Sequence, residues 1–154
     1  MNAPNPNPLS LLIVDDHAPM RAVIRSLVSS FATEINECSD GGAVLEAYRR
    51  HRPDWVLMDI QMPHVDGLKA TAQLCEAFPG ARVIMVTDHA HPTLRAAAQR
   101  AGAIAYVVKE NLLVLLQIIR DGRTPPEARL DAPVAKQWIS IFAPFYFVPP
   151  AQTF

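Results

Sequence analysis

RVIMVTDHAH, residues 82–91, runs through apolar and mostly β-branched or long side chains from Val83 to Val86, then breaks into Thr87, Asp88, His89 and His91. A run built for burial that ends in a hydroxyl needs a reason at its end. The same event recurs elsewhere: SLLIVDD (10–16) ends on Asp15 and Asp16, DWVLMD (54–59) on Asp59, and AIAYVVK (103–109) on Lys109. Short continuous apolar runs of this kind are what strands covered on both faces require. A fifth, weaker strand is EINECS, around Ile35.

Between these runs lie segments of helical period. Met20, Val23, Ile24, Leu27, Val28 and Phe31 recur at the spacing of one helical stripe, with Pro19 suited to the first turn, so this stripe is expected to face the sheet. Further helices are expected over 42–50, 67–78 (stopped by Pro79 and Gly80), 92–101 (stopped by Gly102) and from 111 to about 121. Strands alternating with amphipathic helices imply an α/β domain, a doubly wound parallel sheet with helices on both faces.

The chain has 154 residues, which suits one core, and its 14 Lys plus Arg nearly balance 15 Asp plus Glu. No global basic field points to nucleic acid or an anionic membrane, so any charge-driven function is local. The start, MNAPNPNPLS, has no basic head followed by an apolar stretch, so a cytoplasmic protein is expected. Cys38 and Cys75 have no second cysteine at redox or metal spacing and read as reduced, packed thiols.

In an open parallel sheet, ligands bind beyond the carboxyl ends of the strands, and Asp15, Asp16, Asp59, Thr87 and Lys109 all fall at such ends. The costly residue types therefore converge on one rim. Two carboxylates about 4 Å apart repel by roughly 4 kcal/mol at an effective dielectric near 20, so the cluster needs a cation, and one lysine is too little. An all-oxygen site with no His or Cys favours magnesium over zinc. With a lysine and a hydroxyl beside it, such a site is equipped to hold a phosphoryl group.

The Asp15-Asp16 pair, MDIQMPHVDG around Asp59, Thr87, and GAIAYVVK ending on Lys109 together resemble the response-regulator receiver domain of two-component signalling. The resemblance covers about residues 9–121. It implies the flavodoxin-like fold, with strand order 2-1-3-4-5. It implies that Asp59 accepts phosphate from the phosphohistidine of a sensor histidine kinase or phosphotransfer protein. Asp16 and Asp59 would bind Mg2+ directly, Asp15 through water, and Gln61 through its backbone carbonyl. Lys109 would contact the phosphoryl oxygens, Thr87 would swing its hydroxyl to them, and Tyr106 would turn inward into the space released. Gln61 and His89 would tune the lifetime of the acyl phosphate. The output face would be helix 4, strand 5 and helix 5.

Two departures stand out. Lys109 is followed by Glu110 where the family often has proline, a variant found in receivers that precede helix-turn-helix output domains. Asp88, after Thr87, puts a fourth carboxylate near the phosphate and is expected to slow phosphorylation. Each residue also has a plainer reading. Asp16 would suit the cap of the first helix and Thr87 that of the fourth, while Asp59 would suit a turn with Pro63 and Gly67. Lys109 would be a solvated strand end, and Tyr106 ordinary packing. His17, His51 and His64 read as loop or surface residues, and His89 with His91 lacks a third metal ligand. It is the joint placement that argues for a site.

Residues 1–8 read as an arm, 9–121 as the receiver and 122–154 as a tail without a recognisable output domain, holding six of the 14 prolines. From Trp138 onward the tail has six of 11 aromatics and no charge, and it is too short and Pro-broken to span a bilayer. LLVLLQII in the last helix is apolar almost all round, which calls for a cover: a second copy, the tail, a partner, or deeper burial than the pattern suggests. Protein contacts regulated by phosphate are the leading function. A transcription regulator with a truncated or diverged output module is the alternative, with DNA binding disfavoured because the tail has only Arg123, Arg129 and Lys136 as cations. A phosphatase of the haloacid dehalogenase type would need an acid where Gln61 stands.

Overall fold

The computed structural model describes residues 9–131; the arm at 1–8 and the tail from 132 to 154 lie outside the described residues. The chain alternates β1 (Ser10–Val14), α1 (Ala18–Val28), β2 (Glu34–Cys38), α2 (Val44–His51), β3 (Trp55–Met58), α3 (Gly67–Ala77), β4 (Val83–Thr87), α4 (Pro92–Ala101), β5 (Ala105–Val108) and α5 (Leu113–Asp121). All pairings are parallel, in the order β2-β1-β3-β4-β5. The expected doubly wound sheet is therefore present, with its strand order.

Side chains that alternate along each strand feed two separate cores. Leu11, Ile13, Trp55, Leu57, Ile84, Val86, Ala105 and Val107 pack with Ile24 and Val28 of α1 and with Val114, Leu115, Ile118 and Ile119 of α5. Their neighbours Leu12, Val14, Val56, Met58, Val83, Met85 and Tyr106 pack with α2, α3 and α4 through Val44, Tyr48, Ala70, Leu74 and Ala98. The central strands have no polar face to spare, so polar groups appear only where the strands stop.

The stripe expected for the first helix is wider than the buried one. α1 ends at Val28, leaving Phe31 in the turn that follows, and Val23 remains 48% exposed while Ile24 and Val28 are closed off. In α5 the buried face is broad, and the outer positions are Leu113, Gln117 and Arg120, so the run is more buried than its composition suggests. Leu113, 71% exposed, is the large apolar residue left on its outside. After Gly122 in the left-handed region, the chain makes a single 3-10 turn at Pro126–Ala128 that packs against β5. Among the described residues no helix is long and apolar enough to cross a membrane.

Candidate functional site

The acidic rim is built by the strand ladders. Asp15 N–H donates to the Cys38 carbonyl at 3.1 Å and Asp59 N–H to the Val14 carbonyl at 2.8 Å, so sheet pairing itself fixes both acids at the carboxyl edge. Gly67, at the start of α3, donates its N–H to the Ile60 carbonyl at 2.9 Å, and a Cβ there would run into the Asp59 backbone carbonyl. Only glycine lets α3 begin so close behind the β3 terminus.

Asp15, Asp16 and Asp59 each present a carboxylate oxygen within 4.8 Å of the others. Asp15 and Asp59 are buried, whereas Asp16 is exposed. Asp15 Oδ1 accepts the His17 N–H at 2.8 Å, and its other oxygen faces the Lys109 ammonium at 2.8 Å. Lys109 Nζ also lies 3.4 Å from Asp59 Oδ1 and 3.5 Å from Asp88 Oδ2. One lysine is thus shared among three acids. Asp15 Oδ2 and Asp59 Oδ1 are both buried, and the one Lys109 ammonium is the charge partner of both. Converging carboxylates that share a single ammonium carry more negative charge than it offsets, and fit a hard divalent cation with oxygen ligands.

Burial, and then the negative charge of Asp15, push the Asp59 carboxyl up to about 6, with Lys109 only partly offsetting them. For Lys109 burial acts downward, but Asp15, Asp59 and Asp88 outweigh it and hold the ammonium above its usual range. The pocket therefore carries excess negative charge around neutral pH, and that excess opposes ionisation of Asp59.

Thr87 is fully buried at the end of β4, and its hydroxyl accepts the His89 N–H at 3.4 Å. Tyr106, on the neighbouring strand, is already inside, and its hydroxyl donates to the His89 carbonyl at 2.6 Å. A single residue of the β4-α4 loop is thus held from both ends by the two side chains expected to switch. Burial pushes the Tyr106 phenol up, which suits a role as hydrogen-bond donor. Gln61, Asp88 and His89 are exposed around the pocket mouth.

The plainer readings of single residues fare differently. The α1 cap position is His17, not Asp16, and the α4 cap is His91, whose Nδ1 accepts the Thr93 N–H, not Thr87. Lys109 is drawn in to its acids instead of standing in solvent. The pattern reading missed two arginines. Arg21 donates to the Asp15 carbonyl at 2.7 Å and pairs with Glu37, bracing the turn that carries the acidic pair. Arg95 is buried on α4 above the Tyr106 ring. No local signal marks either one, since arginines on amphipathic helices usually face water.

Residues 11–120 match the family model described as the response regulator receiver domain. The chain is similar to the chemotaxis protein CheY of Halobacterium salinarum, 35% identical over 99 residues that cover 64% of this chain and 82% of that protein. It is similar also to a probable transcriptional regulatory protein NarL of Mycobacterium tuberculosis, 31% identical over 113 residues that cover 72% of this chain and 52% of that protein, so it spans about half the length of that relative. Among solved structures, a two-component response regulator of the LuxR family from Aurantimonas sp. SI85-9A1 superposes with a TM-score of 0.70 at 26% identity, covering 86% of this chain and 99% of that one.

Proposed function

The chain belongs to the response regulator receiver family, and from that premise we propose that it is a phosphorylation switch of two-component signalling whose acceptor is Asp59. The observation that carries this reading is the convergence of Asp15, Asp16, Asp59 and Lys109 at one rim, where one ammonium is shared by two buried carboxylates. Asp59, as carboxylate, attacks the phosphorus of a phosphohistidine on a sensor kinase or phosphotransfer protein. The P–N bond breaks, an acyl phosphate forms, and the imidazole leaves with a proton from solvent.

Asp15, Asp16 and Asp59, with the Gln61 backbone carbonyl, would hold Mg2+, which when bound neutralises charge that develops on the transferred oxygens. Lys109 takes the phosphoryl oxygens as its second partner, beside Asp15. Thr87 then turns its hydroxyl from His89 to the phosphate, and the loop that Tyr106 also holds is freed to shift. Asp88 opposes phosphate entry, while Gln61 and His89 tune how long the acyl phosphate survives. Release and hydrolysis are self-catalysed, and the chain acts on no substrate of its own.

The altered face is α4-β5-α5, through which the protein signals by contact with partners in the cytoplasm, including a second copy of itself. A second reading, the receiver of a transcription regulator, is favoured by the similarity to NarL and to the LuxR-family structure. DNA binding by residues 122–154 themselves is disfavoured by their three cations.

Incubation with acetyl phosphate and magnesium is expected to add one phosphate by intact mass. Asp59→Asn is expected to add none, and label that persists in that variant overturns the assignment.

A further inference from the structure

We infer that the chain closes its own α4-β5 face in cis, with the turn formed by residues 125–130 held over it by Arg95. Arg95 is the centre of the contact. It sits on α4 only 5% exposed, with its guanidinium 4.7 Å from the centroid of the Tyr106 ring. From there Nη1 donates to two backbone carbonyls, Arg129 at 2.6 Å and Glu127 at 3.3 Å. Burial lowers the Arg95 pKa from its usual value, yet a guanidinium stays charged, so its desolvation has to be met by acceptors. The two carbonyls are those acceptors.

The side chains agree with the main chain. Between the clamped carbonyls, Ala128 is 1% exposed and joins the core on the α1-α5 side, whereas Leu130 packs against the core on the other side of the sheet. The segment straddles both layers at β5, an edge strand of the sheet. Recognition therefore asks for two carbonyls two residues apart, a small side chain between them and an apolar one after them. A guanidinium nitrogen that takes two main-chain carbonyls over an aromatic ring reads backbone geometry more than sequence, so a partner that presents the same pair of carbonyls would compete for the same place.

The inference does not depend on which residue accepts phosphate. It makes this face of the receiver a closed surface, which a protein docking on α4-β5 must first open.

Limited trypsinolysis of the full chain tests it, because Arg129 and Arg123 are exposed, but cleavage after them requires the segment to leave the body. Arg95→Ala is expected to speed cleavage after Arg129 tenfold or more, with Arg95→Lys intermediate. Ala128→Glu, which makes burial of the segment costly without touching Arg95, is expected to give the same acceleration, and an unchanged circular dichroism spectrum separates release of the segment from loss of the global fold. Equal cleavage rates in the parent chain and in Ala128→Glu overturn the inference.

Discussion

Lys109 Nζ rests 2.8 Å from Asp15 Oδ2, a shorter approach than the 3.4 Å it keeps to Asp59. The ammonium is thus committed first to the acid that is not the proposed acceptor. Asp59 is left with less compensation than its burial demands, which is why its carboxyl is pushed up to about 6. A nucleophile that is hard to ionise when its site is empty becomes easier to ionise when a cation arrives.

Removing Lys109 exposes the arrangement. Lys109→Ala leaves buried carboxylates facing one another and is expected to cost about 3 kcal/mol of folding stability at pH 7.5. The loss should be smaller at pH 5, where Asp59 is protonated. Urea unfolding at the two pH values checks this.

Asp59→Asn should act in the opposite direction. The folded pKa is raised above the unfolded value of about 4, so ionised Asp59 destabilises the fold fully above about pH 6 and not at all below about pH 4. The amide variant should therefore gain about 1–3 kcal/mol at pH 7.5, with the gain fading as the pH falls through that window. Thermal melts across pH 4 to 8 measure it.

Magnesium should raise the melting temperature of the parent chain, since a cation held by the folded acids alone stabilises by mass action. The rise is expected to grow between pH 5 and pH 7 as Asp59 ionises, and EDTA should reverse it. A variant with Asp15→Asn and Asp16→Asn should melt at the same temperature with and without the metal.

Asp88 draws on the same lysine at 3.5 Å from an exposed position. Asp88→Ala frees Lys109 and removes a charge that repels a phosphodonor, so modification by acetyl phosphate should quicken by about fivefold, the equivalent of ~1 kcal/mol. The rate of mass change under excess donor is the readout, and an unchanged or slower rate would remove Asp88 from the tuning set.

The strand ends were legible because their signal is local: four apolar residues and then an acid, a hydroxyl or an ammonium are visible within one short window at Asp59, Thr87 and Lys109. Helix period placed Ile24 and Val28 correctly, but it also enrolled Val23 and Phe31, since period alone does not say how wide the covering layer is or where the helix ends. Arg95 was invisible for a different reason. Its burial depends on carbonyls 32 and 34 residues further along, in a stretch without hydrophobic period. The role of α5 was misjudged in degree for the same cause, because Ala128 belongs to the core beneath it.

β5 is one of the two edge strands of the sheet. A strand with one unsatisfied side is a template on which another molecule's strand can grow, the usual beginning of ordered aggregates. Lying along that side, the turn at Pro126–Ala128 acts as a guard rail, with prolines that are themselves poor ladder partners. How long the protein stays in solution is thereby tied to whether a few residues after its last helix remain in place.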